Sequence, residues 1–117
     1  MSKELHNVKT TSFLGEGTEL NGKLHVEGGL RIDGKLKGSI ESQSLITLGD
    51  NARVEAKVSA KAVISSGTLI GDVVSERYVQ LGLPGWVKGS IQTRELILEK
   101  GVFFDGSCKI IEPEKQR

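Results

Sequence analysis

The sequence predicts an all-β chain, a right-handed parallel β-helix of about six coils with short disordered tails. Three observations predict it. A five-residue unit (apolar, any, Gly or Ala, any, apolar) recurs six times in 117 residues. Glycine supplies 15 positions and aromatics only 4% of the chain, too few large side chains for one thick globular core. Within each unit the alternation has period two, as in a strand with one buried face, and no 3.6-residue period runs through residues 13–111.

The copies, in order, are Leu20-Asn21-Gly22-Lys23-Leu24, Leu36-Lys37-Gly38-Ser39-Ile40 and Val54-Glu55-Ala56-Lys57-Val58. Leu69-Ile70-Gly71-Asp72-Val73, Val87-Lys88-Gly89-Ser90-Ile91 and Phe104-Asp105-Gly106-Ser107-Cys108 follow. Their first residues are 16, 18, 15, 18 and 17 positions apart. Ahead of each unit stands another aliphatic: Leu14, Leu30, Leu48, Ile64, Leu81 and Leu98. Between the two apolar clusters lie turn formers such as Gly17, Asp33-Gly34, Asp50-Asn51, Ser66-Gly67, Pro84-Gly85 and Gly101. A short third segment trails each unit, as in Ser59-Ala60, Ser75 and Gln92-Thr93.

About 17 residues at roughly 3.3 Å each close one narrow coil of about 55 Å, and coils stack about 4.8 Å apart. Inward ladders follow: Leu20, Leu36, Val54, Leu69, Val87, Phe104 and, beside it, Leu24, Ile40, Val58, Val73, Ile91, Cys108. The small column between them (Gly22, Gly38, Ala56, Gly71, Gly89, Gly106) is expected to reflect a narrow interior. Outward, Lys37 is expected over Glu55, Lys57 over Asp72 and Lys88 over Asp105, an arrangement that penalises a slipped register. Parallel crossovers are right-handed by default, which sets the expected hand. Residues 1–12 and 112–117 lie outside the repeat and read as tails.

Composition and motifs point away from catalysis. Sixteen Lys and Arg against fifteen Asp and Glu leave a net charge of +1, so no nucleic-acid partner is expected. One cysteine, Cys108, excludes an internal disulfide and fits a reducing compartment, and no signal peptide or spanning run occurs. The cytoplasm is the expected location. His6 and His25 stand apart from Cys108, so no metal site is expected, and no phosphate loop is present. No cofactor and no enzyme activity are expected. The 15-to-18-residue steps break the strict phase of hexapeptide acyltransferases, the nearest enzyme class.

The ends carry the functional expectation. A solenoid needs caps over its open coils, and little here supplies them. The last coil ends on Phe104, Cys108 and Ile110 with Leu98, and the first on Leu14, Leu20 and Leu24. Phe104 either plugs its own core beneath folded-over tails or stacks against another molecule; a terminal aromatic favours stacking. Trp86 and Phe103, just ahead of their units, are expected to stack as an exposed pair beside Tyr78, marking a lateral or partner patch, unless the corner folds them back. Met1, Leu5 and Val8 stand at helical spacing, which reads as a membrane-surface contact or as a plain disordered tail.

Leu30-Arg31-Ile32-Asp33-Gly34-Lys35-Leu36-Lys37-Gly38-Ser39-Ile40 and Gly101-Val102-Phe103-Phe104-Asp105-Gly106-Ser107-Cys108 resemble the bactofilins, bacterial cytoskeletal proteins. The resemblance spans residues 13 to about 111. It implies nucleotide-independent, non-polar filaments built by head-to-head and tail-to-tail contacts, with Phe104 as the polymerisation aromatic. It also implies a scaffold for cell shape or for cell-wall and other positioned proteins, often at the membrane. The main alternative is a β-helical adaptor resembling the C-terminal domain of the septum-site inhibitor that pairs with a division ATPase, which would dimerise and stop.

Overall fold

In a computed structural model the described residues are 10–111, and every regular element among them is a strand. They are β1 (Thr10–Leu14), β2 (Glu19–Val26), β3 (Gly29–Ile32), β4 (Lys35–Ser42), β5 (Leu45–Leu48), β6 (Arg53–Ser65), β7 (Thr68–Leu81), β8 (Trp86–Thr93), β9 (Leu96–Leu98) and β10 (Phe103–Ile110). All pair in parallel, each with the strand one coil away, so the sheet winds into a parallel β-solenoid. β6 pairs with both β4 and β5. One unbroken strand in the third coil therefore follows a path that the second coil covers with two.

Two predicted ladders hold residue for residue. Leu20, Leu36, Val54, Leu69, Val87 and Phe104 stand in register, as do Leu24, Ile40, Val58, Val73, Ile91 and Cys108. The third stretch of the coil corrects the sequence reading, which merged two columns into one. Ser12, Leu30, Ile46, Val63, Val79 and Leu96 form one column; Leu14, Ile32, Leu48, Ser65, Leu81 and Leu98 form the other. Leu30 belongs to the first of these, and Ile64 faces outward between the buried Val63 and Ser65. Ile32, Ile46, Val54, Val63, Leu69 and Val79 are wholly buried, and each such side chain contributes on the order of 1.5–3 kcal/mol.

The glycine column is real, but its cause is not a cramped interior. Gly22, Gly38, Gly71, Gly89 and Gly106 hold φ between +130° and +152°, where L side chains are strained. A Cβ on Gly38 would strike the carbonyl oxygen of Gly22, and one on Gly89 that of Gly71. Backbone stacked on backbone sets the residue type. Ala56 keeps a negative φ and stays buried, so this kink is absent from the third coil.

The uneven step has a physical source in the corners. Residues 15–18, 49–52, 82–85 and 99–102 close with an N–H to carbonyl bond three residues back, at 2.8–3.2 Å. No such bond closes the corners at Asp33-Gly34 and Ser66-Gly67, where the chain passes in fewer residues. The corner after the second stretch uses buried hydroxyls. Ser42 Oγ donates to the Gly28 carbonyl at 2.9 Å and Ser75 Oγ to the Tyr78 carbonyl at 2.7 Å. At the N-terminal end Thr10–Ser12 lie within β1, with Thr10 in register with Gly29 and Ser12 with Leu30 across a register shift between them.

Candidate functional site

Among the described residues, the two ends of the solenoid are where its core columns and its strand ladders both stop. Of the described strands, β1 and β2 pair on one side only, with β3 and β4; β9 and β10 likewise pair only with β7 and β8. Such edges present a row of N–H and carbonyl groups that template another chain. At the first end Leu14, Leu20 and Leu24 begin their inward columns and are half-buried against the core. At the other, Phe104 and Cys108 are half-buried in the same way. Leu98 and Ile110 are 46% and 50% exposed, although Leu81 and Thr93, one coil further in, are buried. Burial raises the Cys108 thiol above its ordinary range, as expected of a thiol in a core column rather than a reactive site.

The aromatic pair forms as the spacing predicts. Trp86 faces Phe103 across the β8–β10 pairing, and the rings stack 4.9 Å apart at 12°. Both remain exposed, with Leu83 50% exposed at the neighbouring corner. Tyr78 does not join them: it lies opposite Ala62 near the far end of β7, whereas Trp86 lies opposite Thr68 at its start. Met1, Leu5 and Val8 lie outside the described residues.

Outward charges keep the predicted register but choose other partners. Lys37 stands opposite Glu55, yet Glu55 binds Arg53 at 3.1 Å; Lys57 stands opposite Asp72, which accepts from Ser90 Oγ at 2.7 Å. Glu19 and Lys35 lie 3.9 Å apart, and His25 and Glu41 3.4 Å apart. These are exposed pairs of small individual worth. Sequence reasoning missed Phe13, which projects 64% exposed from β1, because it precedes the first unit.

Among the described residues no group of three or more His, Cys, Asp or Glu is placed to hold a metal ion. No helix among them is long and apolar enough to cross a membrane. Among the described residues the distinguishing geometry is the pair of ends where the core columns are only half covered.

The comparisons point the same way. Residues 12–109 match the family model for bactofilin, described as polymer-forming and cytoskeletal. The solid-state NMR structure of the cytoskeletal bactofilin BacA superposes with a TM-score of 0.76 at 30% identity, covering 91% of this chain and all of that one. Among curated proteins no match is found. A family match over nearly the whole solenoid, on a fold shared with a solved member, places this chain in the bactofilin family of polymer-forming cytoskeletal proteins.

Proposed function

We propose that this chain assembles end to end, without nucleotide, into non-polar filaments through contacts between like ends. The observation that carries this reading is the open state of the core columns at both ends, Leu14, Leu20 and Leu24 at one and Leu98, Phe104, Cys108 and Ile110 at the other. Stacking a second copy on either end buries these side chains and pairs the exposed strand edges in one step. Neither gain involves a phosphate or a bound ion. The filament then serves as a cytoplasmic scaffold for cell shape or for positioning cell-wall and other proteins. Met1, Leu5 and Val8 supply a membrane-surface contact, strengthened by repetition along the polymer.

Sedimentation of the purified full chain in nucleotide-free buffer tests the assembly. High-speed pelleting, with filaments in electron micrographs of the pellet, is the expected result. A monodisperse dimer that stays in the supernatant at high concentration overturns the reading and favours the adaptor alternative.

A further inference from the structure

Gly38, Gly71, Gly89 and Gly106 each lie so close to a carbonyl of the preceding coil that a Cβ would strike it. Gly22 holds the same backbone conformation, φ +134°, and is the first member of this column among the described residues. The kink is not obligatory in a coil, since Ala56 keeps a negative φ. A Cβ built on Gly22 meets no described atom within 4 Å. Gly22 is therefore shaped to take one more carbonyl, from a strand laid over β2. On either side of it Leu20 and Leu24 are half-buried, whereas Leu36 and Ile40, one coil further in, are buried.

Residues 1–9, ahead of the described chain, carry the pattern for such a strand. Thr10 is in register with Gly29. The same offset carried back along the chain sets Met1 on Leu20, Glu4 on Lys23, Leu5 on Leu24 and Asn7 on Val26. Met1-Ser2-Lys3-Glu4-Leu5 thereby repeats the unit Leu20-Asn21-Gly22-Lys23-Leu24, with Lys3 at the glycine place. A lysine is tolerated there, because the described coils all lie on its other side and none of them sets a carbonyl over it.

We propose that residues 1–9 strap the first end of the solenoid, running parallel to β2 with Leu5 over Leu24 and the Lys3 carbonyl over Gly22. Direction and charge select this occupant. The chain enters β1 along the winding of the solenoid, so a strand from the residues before it runs parallel to β2, as in every other layer. A second copy meeting this end across a twofold axis presents β2 in the opposite direction, which does not reproduce the carbonyl-on-glycine stacking. Glu4 opposite Lys23 adds a complementary pair in the parallel register alone. The strap covers Leu20 and Leu24, which the end contact proposed above also needs. Closure therefore competes with assembly at this end, and with the membrane contact, since Leu5 serves one of the three at a time.

The effect on assembly rests on the end-to-end reading, and the experiment separates the two. Leu5→Cys is combined with Leu24→Cys in the full chain, where adjacent layers about 4.8 Å apart lie within disulfide reach. Glu4→Cys with Leu24→Cys is the control, because successive side chains of a strand point to opposite faces. Cys108 stays in place at the opposite end. Oxidising a mixture of isotope-labelled and unlabelled protein tells bridges within one chain from bridges between copies, and thermal unfolding checks the fold. The Leu5 pair should bridge within the chain about tenfold faster than the Glu4 pair. The bridged chain should leave the high-speed pellet and return to it on reduction. Leu5→Asp, outside the described strands, is the second variant and should raise the filament growth rate severalfold. Equal bridging rates, bridges chiefly between copies, or an unchanged growth rate in Leu5→Asp overturn the strap. A bridged chain that pellets as the reduced one does overturns its competition with assembly. Reduced protein that stays in the supernatant overturns the end-to-end reading, and the ratio of bridging rates still decides the strap.

Discussion

A Cβ placed on Gly71 would fall on the carbonyl oxygen of Ala56 in the preceding coil, and Gly71 itself holds φ at +136°. The clash is with backbone, which has no alternative rotamer, so even a methyl group is excluded. Gly71→Ala should destabilise the solenoid by about 2–4 kcal/mol, from strained φ and steric overlap together. Gly71→Val should add little more. Thermal unfolding of the two variants checks this; a mild Ala effect beside a severe Val effect would restore the explanation from interior volume.

Phe104 stands over Val87 as the last member of its ladder among the described residues and is half-buried. Phe104→Arg should leave the fold intact, since the side chain can reach solvent in the free protomer. In the end contact it buries an unpaired charge, costing about 3 kcal/mol or about 100-fold in contact affinity. The measurement is the high-speed pellet, expected to vanish while the melting temperature stays within a few degrees of wild type. Undiminished filaments would place the contact elsewhere.

Trp86 and Phe103 stack in the open, so their interaction is measurable apart from the core. A double-mutant cycle of Trp86→Ala and Phe103→Ala should return a coupling of about 0.5–1.5 kcal/mol. Trp86 is the one tryptophan of the chain, which makes its emission a second readout. Phe103→Ala should shift that emission to the red as the indole gains water. Additive single-variant effects would mean that the stack contributes nothing in solution.

Burial raises the folded-state value of the Cys108 thiol, so the folded chain holds its proton at pH values where the unfolded chain has lost it. Stability from this group is complete below the ordinary thiol range of about 8.5 and is lost as pH rises through the raised folded value. Melting temperature should therefore decline more steeply above about pH 8.5 in wild type than in Cys108→Ala. Alkylation of Cys108 at neutral pH should also be slower than that of a free thiol. Parallel pH profiles for the two proteins would count against a buried thiol.

Much of the architecture was legible because the repeat unit is local. Period-two alternation in Leu36-Lys37-Gly38-Ser39-Ile40 and its five relatives dictates which side chains face inward and which coil partners meet. The aromatic stack was legible for the same reason, since Trp86 and Phe103 occupy equivalent places in neighbouring units. Leu30 and Ile64 were misassigned because two aliphatic columns lie two residues apart on the third stretch, and spacing to the next unit cannot distinguish them. The hydroxyl corners of Ser42, Ser75 and Thr93 carried a periodic signal, but a serine beside a strand reads equally well as a turn or as an exposed position.

By itself, the order of amino acids determined the solenoid, its number of coils and the membership of its two main ladders, because these follow from a unit that repeats along the chain. Only the folded solenoid decided that glycine is demanded by carbonyl groups one layer off and that Glu55 turns to Arg53 rather than to Lys37. Those outcomes depend on distances between coils and on competition among side chains that meet only after the ribbon has closed on itself.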